Sequence, residues 1–207
     1  MELLNKLALG TVSGGLGAAL LVILASCQSH PTPTPLTDGA HVRLPDDSTR
    51  AIVWGNHKES VKSLKTWLLK RRITVIDETK VTQIAEEKGF QTAHSTISPA
   101  DVLKSAKIIG SNQVVFVEAD VLSSKSSYDA SLDIRALDVD SGEIAWYGKA
   151  RSPQNFTNLT EGIHQLTCHA LATAWGLRQP GMTTASSVCL PGENAMTSLN
   201  QLQLGSY

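Results

Sequence analysis

Apolar and polar positions alternate along this chain with two periods, and the switches between them divide it into elements. Residues 51–54 (Ala-Ile-Val-Trp) form a short apolar run that reads as a strand. Val61, Leu64, Trp67 and Leu68 then recur at helical spacing and predict an amphipathic helix over about 58–71. A β-branched run at 73–76 predicts a second strand. A helix over about 78–88 follows, with Val81 and Ile84 on one face and Gly89 as its stop. Ser98-Pro99-Ala100-Asp101 carries an N-cap, a proline in the first turn and an early acid, so a helix starts there and runs to about 107. Residues 114–121 are apolar enough for a buried strand. Residues 128–138 alternate, with Ala130, Leu132, Ile134 and Ala136 against Asp129, Ser131, Asp133 and Arg135. A turn at 140–143 returns the chain into a paired strand at 144–147. A last helix spans about 159–175, with Ile163, Leu166, Ala170, Leu171 and Ala174 on its apolar side and Gly176 placed to cap it.

The order is strand, helix, strand, helix, helix, strand, strand, strand, helix. It predicts an α/β fold: a mixed sheet with an antiparallel C-terminal meander and helices packed on it. The folded part is expected to begin near Val42. Beyond Pro180 the composition turns small and polar, which predicts a tail over 179–207.

The N-terminal end changes the picture. Leu16 to Leu24 is an apolar run too short to span a bilayer comfortably, where about 20 residues are needed. Leu24-Ala25-Ser26-Cys27 resembles the lipobox of bacterial lipoprotein signal peptides. That resemblance implies a signal peptide over 1–26, removal before Cys27, and acylation of Cys27 with diacylglycerol and palmitate-type chains. Several acyl chains hold a protein to a membrane far more firmly than one. Gln28 after Cys27, in place of an aspartate, resembles the Gram-negative pattern for delivery to the outer membrane, facing the periplasm. Residues 27–41 read as a lipidated cysteine and a linker, because Pro31-Thr32-Pro33-Thr34-Pro35 favours extended polyproline II.

The 207 residues carry a net charge of -1, with 42% hydrophobic and 18% charged residues. One domain with a real core follows, and no nucleic-acid footprint or polybasic membrane patch. With Cys27 assigned to lipid, Cys168 and Cys189 remain in an oxidising compartment. They are the candidate disulfide; two free thiols, with Cys168 buried, are the alternative.

The order of elements resembles the CsgG/LpoB superfamily of bacterial envelope lipoproteins over roughly 52–177. The phrases that carry the resemblance are Arg72-Ile73-Thr74-Val75-Ile76-Asp77-Glu78-Thr79-Lys80-Val81, then 109–121, then Leu132-Asp133-Ile134-Arg135-Ala136-Leu137-Asp138-Val139-Asp140-Ser141-Gly142-Glu143. The resemblance implies an outer-membrane lipoprotein that acts as a non-enzymatic accessory or assembly factor. Its partners would be envelope proteins such as a peptidoglycan synthase, or flagellar or secretion components, with a homo-oligomer also open. The alternative is a subunit of a CsgG-like oligomeric secretion channel. Channel members insert long amphipathic hairpins, and no strand pair here looks long or apolar enough for that.

Chemistry-bearing residues are few. His164 and Cys168 stand four apart on the last helix, with His169 beside them, a spacing that suits two metal ligands but lacks a third. A structural helix face explains them better, so neither a metal site nor a cofactor is expected. Asp77 and Glu78 suit a helix start, and Trp54, Trp67, Trp146 and Trp175 suit a core.

Overall fold

Strand β4 (Gln113–Ser124) and strand β5 (Ser127–Asp138) form the longest hairpin of the sheet and organise everything else. The computed structural model describes residues 35–90, 97–153 and 155–177, together with Cys189. Among these, six strands form one sheet in the order β1-β6-β5-β4-β2-β3. The other strands are β1 (Leu36–His41), β2 (Arg50–Gly55), β3 (Thr74–Ile76) and β6 (Ile144–Arg151). Helix α1 (Lys58–Lys70) connects β2 to the parallel β3. Helices α2 (Thr79–Glu87) and α3 (Pro99–Ile109) lead on to β4, also parallel to β2. From β4 to β6 the chain is an antiparallel meander, and β1 closes its edge antiparallel to β6. The mixed α/β sheet expected from the sequence is the sheet observed.

Three points differ from the sequence reading. Residues 36–41, assigned to the linker, are strand β1, so the fold starts before Val42. β1 carries no apolar run because it is an edge strand. Its Thr37 and Gly39 turn toward the C-terminal helix α4 (Leu159–Ala174), while Leu36, Asp38 and Ala40 face solvent. β4 and β5 have 12 residues each, which is long enough to cross a bilayer. Their faces are unsuited to lipid. One carries Val115, Val117, Leu132 and Ile134 into the core, and the other carries Glu118, Asp120, Asp129 and Asp133. Trp54 is only partly covered, whereas Trp67, Trp146 and Trp175 are buried.

Strand alternation sends the two sets of side chains to two helical layers. α1 and α4 cover one face, where Val53, Leu64, Leu68, Val115, Ile134, Ile163 and Leu171 meet. On the other face α2 and α3 bury Val81, Ala85, Val102 and Ala106 against Ile52, Ile76 and Val114. At about 25 cal/mol per Å² of buried apolar area, each such Leu or Ile contributes about 1.5–3 kcal/mol. Trp146 sits fully buried at the centre. It meets Trp175 edge-on at 5.7 Å, and its indole N–H donates to Gln113 Oε1 at 3.3 Å. The start of α3 matches its sequence signal, since Ser98 Oγ accepts the Asp101 N–H. Gly110 ends α3 in the left-handed region, φ 75°, where a Cβ would be strained.

Candidate functional site

α2 and α3 cover β3, β2 and the first part of β4, and no described helix covers the rest of that face. Four strands therefore present a row of polar side chains to solvent. The register places Asp38 beside Lys149, Lys149 beside Asp133, and Asp133 beside Glu118. One step along lie Leu36, Arg151, Ser131 and Asp120. Their alternation with core residues on the same strands fixes this arrangement, because a one-residue slip would bury every charge.

These residues, with Asn56, line an open cavity of 670 Å³. Asn56 follows β2 and takes over its role. Its Oδ1 accepts the Ala119 N–H at 2.9 Å, and its Nδ2 donates to the Ala119 carbonyl at 3.2 Å. The charges form a linked set. Arg135 donates to Glu118 at 2.7 Å, and Lys149 Nζ lies 2.8 Å from Asp133 Oδ2. Arg135 Nε faces Asp133 Oδ1 at 3.4 Å, close enough for an ion pair but not aligned as a hydrogen bond. Arg151 stands 3.7 Å from Asp129. The Asp133 carboxylate accepts the Lys149 hydrogen bond and adds its charge, and both hold that ammonium above its usual pKa. Solvated pairs of this kind contribute little to stability, so their weight falls on orientation and recognition.

The cavity brings together carboxylates, ammonium and guanidinium groups in mutual pairs. Such a surface suits a polar macromolecular partner. Among the described residues no group of three or more His, Cys, Asp or Glu converges on a metal position.

The residues singled out from the sequence lie elsewhere. Cys27, the signal segment and the linker through Thr34 are outside the described residues. So is the tail from Arg178 on, Cys189 excepted. Cys168 and Cys189 are joined as a disulfide, with Cα atoms 5.8 Å apart, and both are buried. His164 stacks on Trp67 with ring centroids 5.0 Å apart, and its Nδ1 lies 3.2 Å from Ser63 Oγ. It borders a second cavity of 310 Å³ with Glu59, Lys62, Asn158 and Glu161. Burial first, then the Lys70 charge, lowers the His164 pKa. His169 is buried. His164 and Cys168 thus share a helix face without acting together, since the first packs on an indole and the second is bonded to sulfur. Asp77 acts at a helix start, its carboxylate accepting the Thr79 N–H and hydroxyl, which lowers its pKa.

The open face escaped the sequence reading because it needs β1 and the sheet order. Its one local signal is the polar half of the 128–138 alternation, which a solvated face explains equally well.

No family model matches the chain, and no curated protein matches it. Solved structures with similar coordinates exist at low identity. A PelC dodecamer from Paraburkholderia phytofirmans is 12% identical, over 70% of this chain and 100% of that one, with a TM-score of 0.46. Lipoprotein GNA1162 from Neisseria meningitidis is 15% identical, over 63% and 99%, with a TM-score of 0.42. The LpoB C-terminal domain from Salmonella enterica is 14% identical, over 66% and 94%, with a TM-score of 0.40.

Proposed function

We propose that this chain is a bacterial envelope lipoprotein, anchored through lipid on Cys27 to the outer membrane, and that it works in the periplasm as a non-enzymatic accessory factor for an envelope protein. The observation that supports a binding role is the open, ion-paired face of β1, β6, β5 and β4 beside a 670 Å³ cavity. A sheet face left without a helix and furnished with oriented charges is suited to steering and selecting a protein surface. The anchor rests on Leu24-Ala25-Ser26-Cys27 and the apolar run before it. One face of the β4–β5 hairpin is packed against helices and the other carries charges, which favours an accessory factor over a channel subunit.

The test places a photo-activatable side chain at Ser131 in living cells. A discrete adduct with one envelope protein is expected, weakened at least severalfold by Lys149→Glu with Arg151→Glu. No adduct from Ser131, with strong adducts from an exposed position of α1 such as Lys62, would move the binding surface to the other side. Cys27→Ser tests the anchor: it should abolish labelling by palmitate, and continued labelling would end that part of the reading.

A further inference from the structure

Strand β1 ends the sheet, and no described strand pairs with its outer edge, whose backbone groups stand in a definite phase. The Val42 N–H donates to the Ala145 carbonyl at 2.7 Å, continuing the β1–β6 register by one residue. In an antiparallel ladder such bonded pairs alternate. Leu36, Asp38, Ala40 and Val42 therefore turn their N–H and C=O groups to β6. Thr37, Gly39 and His41 turn theirs outward, where each is a donor–acceptor pair of the kind that recruits another strand.

We propose that this edge docks a second copy of the same chain, with the two β1 strands antiparallel about a two-fold axis through Gly39. Three facts select that register. It opposes Leu36 to Val42 of the partner copy, covering the two large exposed apolar side chains of this stretch, 61% and 89% accessible. It sets Asp38 opposite the partner's Ala40, so no like charges face each other. It matches every outward group: Thr37 with the partner's His41, and Gly39 with the partner's Gly39. Moving the axis to Asp38 would oppose two carboxylates and set His41 against Pro35, which has no N–H. Moving it to Ala40 would require the Arg43 N–H, which already donates to the Ala145 carbonyl at 3.0 Å.

The result is isologous and closed. Two six-stranded sheets become one, and because the axis stands normal to the sheet, both open charged faces point the same way. The inference does not depend on lipid at Cys27 or on the role given to that face.

The experiment uses the full-length chain in detergent micelles. Leu36 and the partner's Val42 would form a non-hydrogen-bonded pair, with Cα atoms about 4.5 Å apart, close enough for a disulfide. Leu36→Cys combined with Val42→Cys should give a covalent dimer on mild oxidation, and Asp38→Cys alone should not. The unmodified chain should have the mass of two copies by light scattering. Thr37→Pro removes one outward N–H while leaving the β6 ladder intact, and should weaken the dimer about tenfold with an unchanged circular dichroism spectrum. A chain that stays monomeric at every concentration would overturn the proposal. So would a dimer that forms only after truncation behind Leu190, because the edge would then belong to the chain's own tail. Cross-linking through Asp38→Cys but not through the Leu36–Val42 pair would overturn the register.

Discussion

His164 shows how one side chain can be read two ways and used in one. Its spacing to Cys168 suggests a ligand, and its surroundings make it a packing group against Trp67. Burial and the Lys70 charge lower its pKa, so the folded chain binds that proton more weakly than the unfolded chain does. The stability it contributes is therefore complete above the ordinary value of 6.5 and is lost as pH falls from there through the lower folded value. Thermal unfolding at about pH 7.5 and about pH 5, on either side of that value, checks this: His164→Gln should show a smaller fall between the two than the unmodified chain. An equal fall in both would mean the ring does not titrate with folding. The same neighbourhood explains what was legible. Trp67, Leu64 and Leu68 announce their helix face by spacing, but nothing in the order of residues places Ser63 and Trp67 around His164 across 101 and 97 positions.

Among the elements, α4 bears the most packing, buried along nearly its whole length between the sheet and α1. It approaches β6 so closely that a Cβ on Gly148 would stand 2.2 Å from the Ala170 carbonyl oxygen. Backbone cannot give way there as a flexible side chain would. Gly148→Ala should therefore cost about 1–3 kcal/mol, read as a lower urea midpoint with unchanged slope. The disulfide fastens position 189 to this same helix across a separation of 21 residues. Replacing both Cys168 and Cys189 by serine should destabilise by about 3 kcal/mol in the chain-entropy model, measured by urea unfolding with and without reductant. A double variant as stable as the parent would mean the tail is held by other contacts. Helices α1, α3 and α4 were legible from periodicity and caps, and β4 to β6 from alternation and turns. β1 was not, because Leu36 and Ala40 face solvent and its inward positions are Thr37 and Gly39. A strand whose inner face is a threonine and a glycine resting on Ala174 has no hydrophobic signature. The open face was lost with it.

For the whole molecule, the boundary matters more than any single contact. A chain beginning at Pro35 keeps the full sheet, whereas one beginning at Val42 exposes the edge of β6 and removes the His41 Nδ1 bond to the Ala174 carbonyl. The longer chain should purify without detergent and unfold cooperatively. The shorter should aggregate or melt well below it, measured by circular dichroism. Equal melting would show β1 to be dispensable.

The same boundary sets a leash. With β1 beginning at Leu36, only eight residues separate it from Cys27, where a linker running to position 41 would have allowed fourteen. At a limit of about 3.6 Å per residue, the reach falls from about 50 Å to about 30 Å. A lipid on Cys27 would then confine the domain to a shallow layer over the bilayer, with Leu36 and the neighbouring Arg151 at the tethered end. The charged face would patrol that layer only, and a partner would have to come down to meet it.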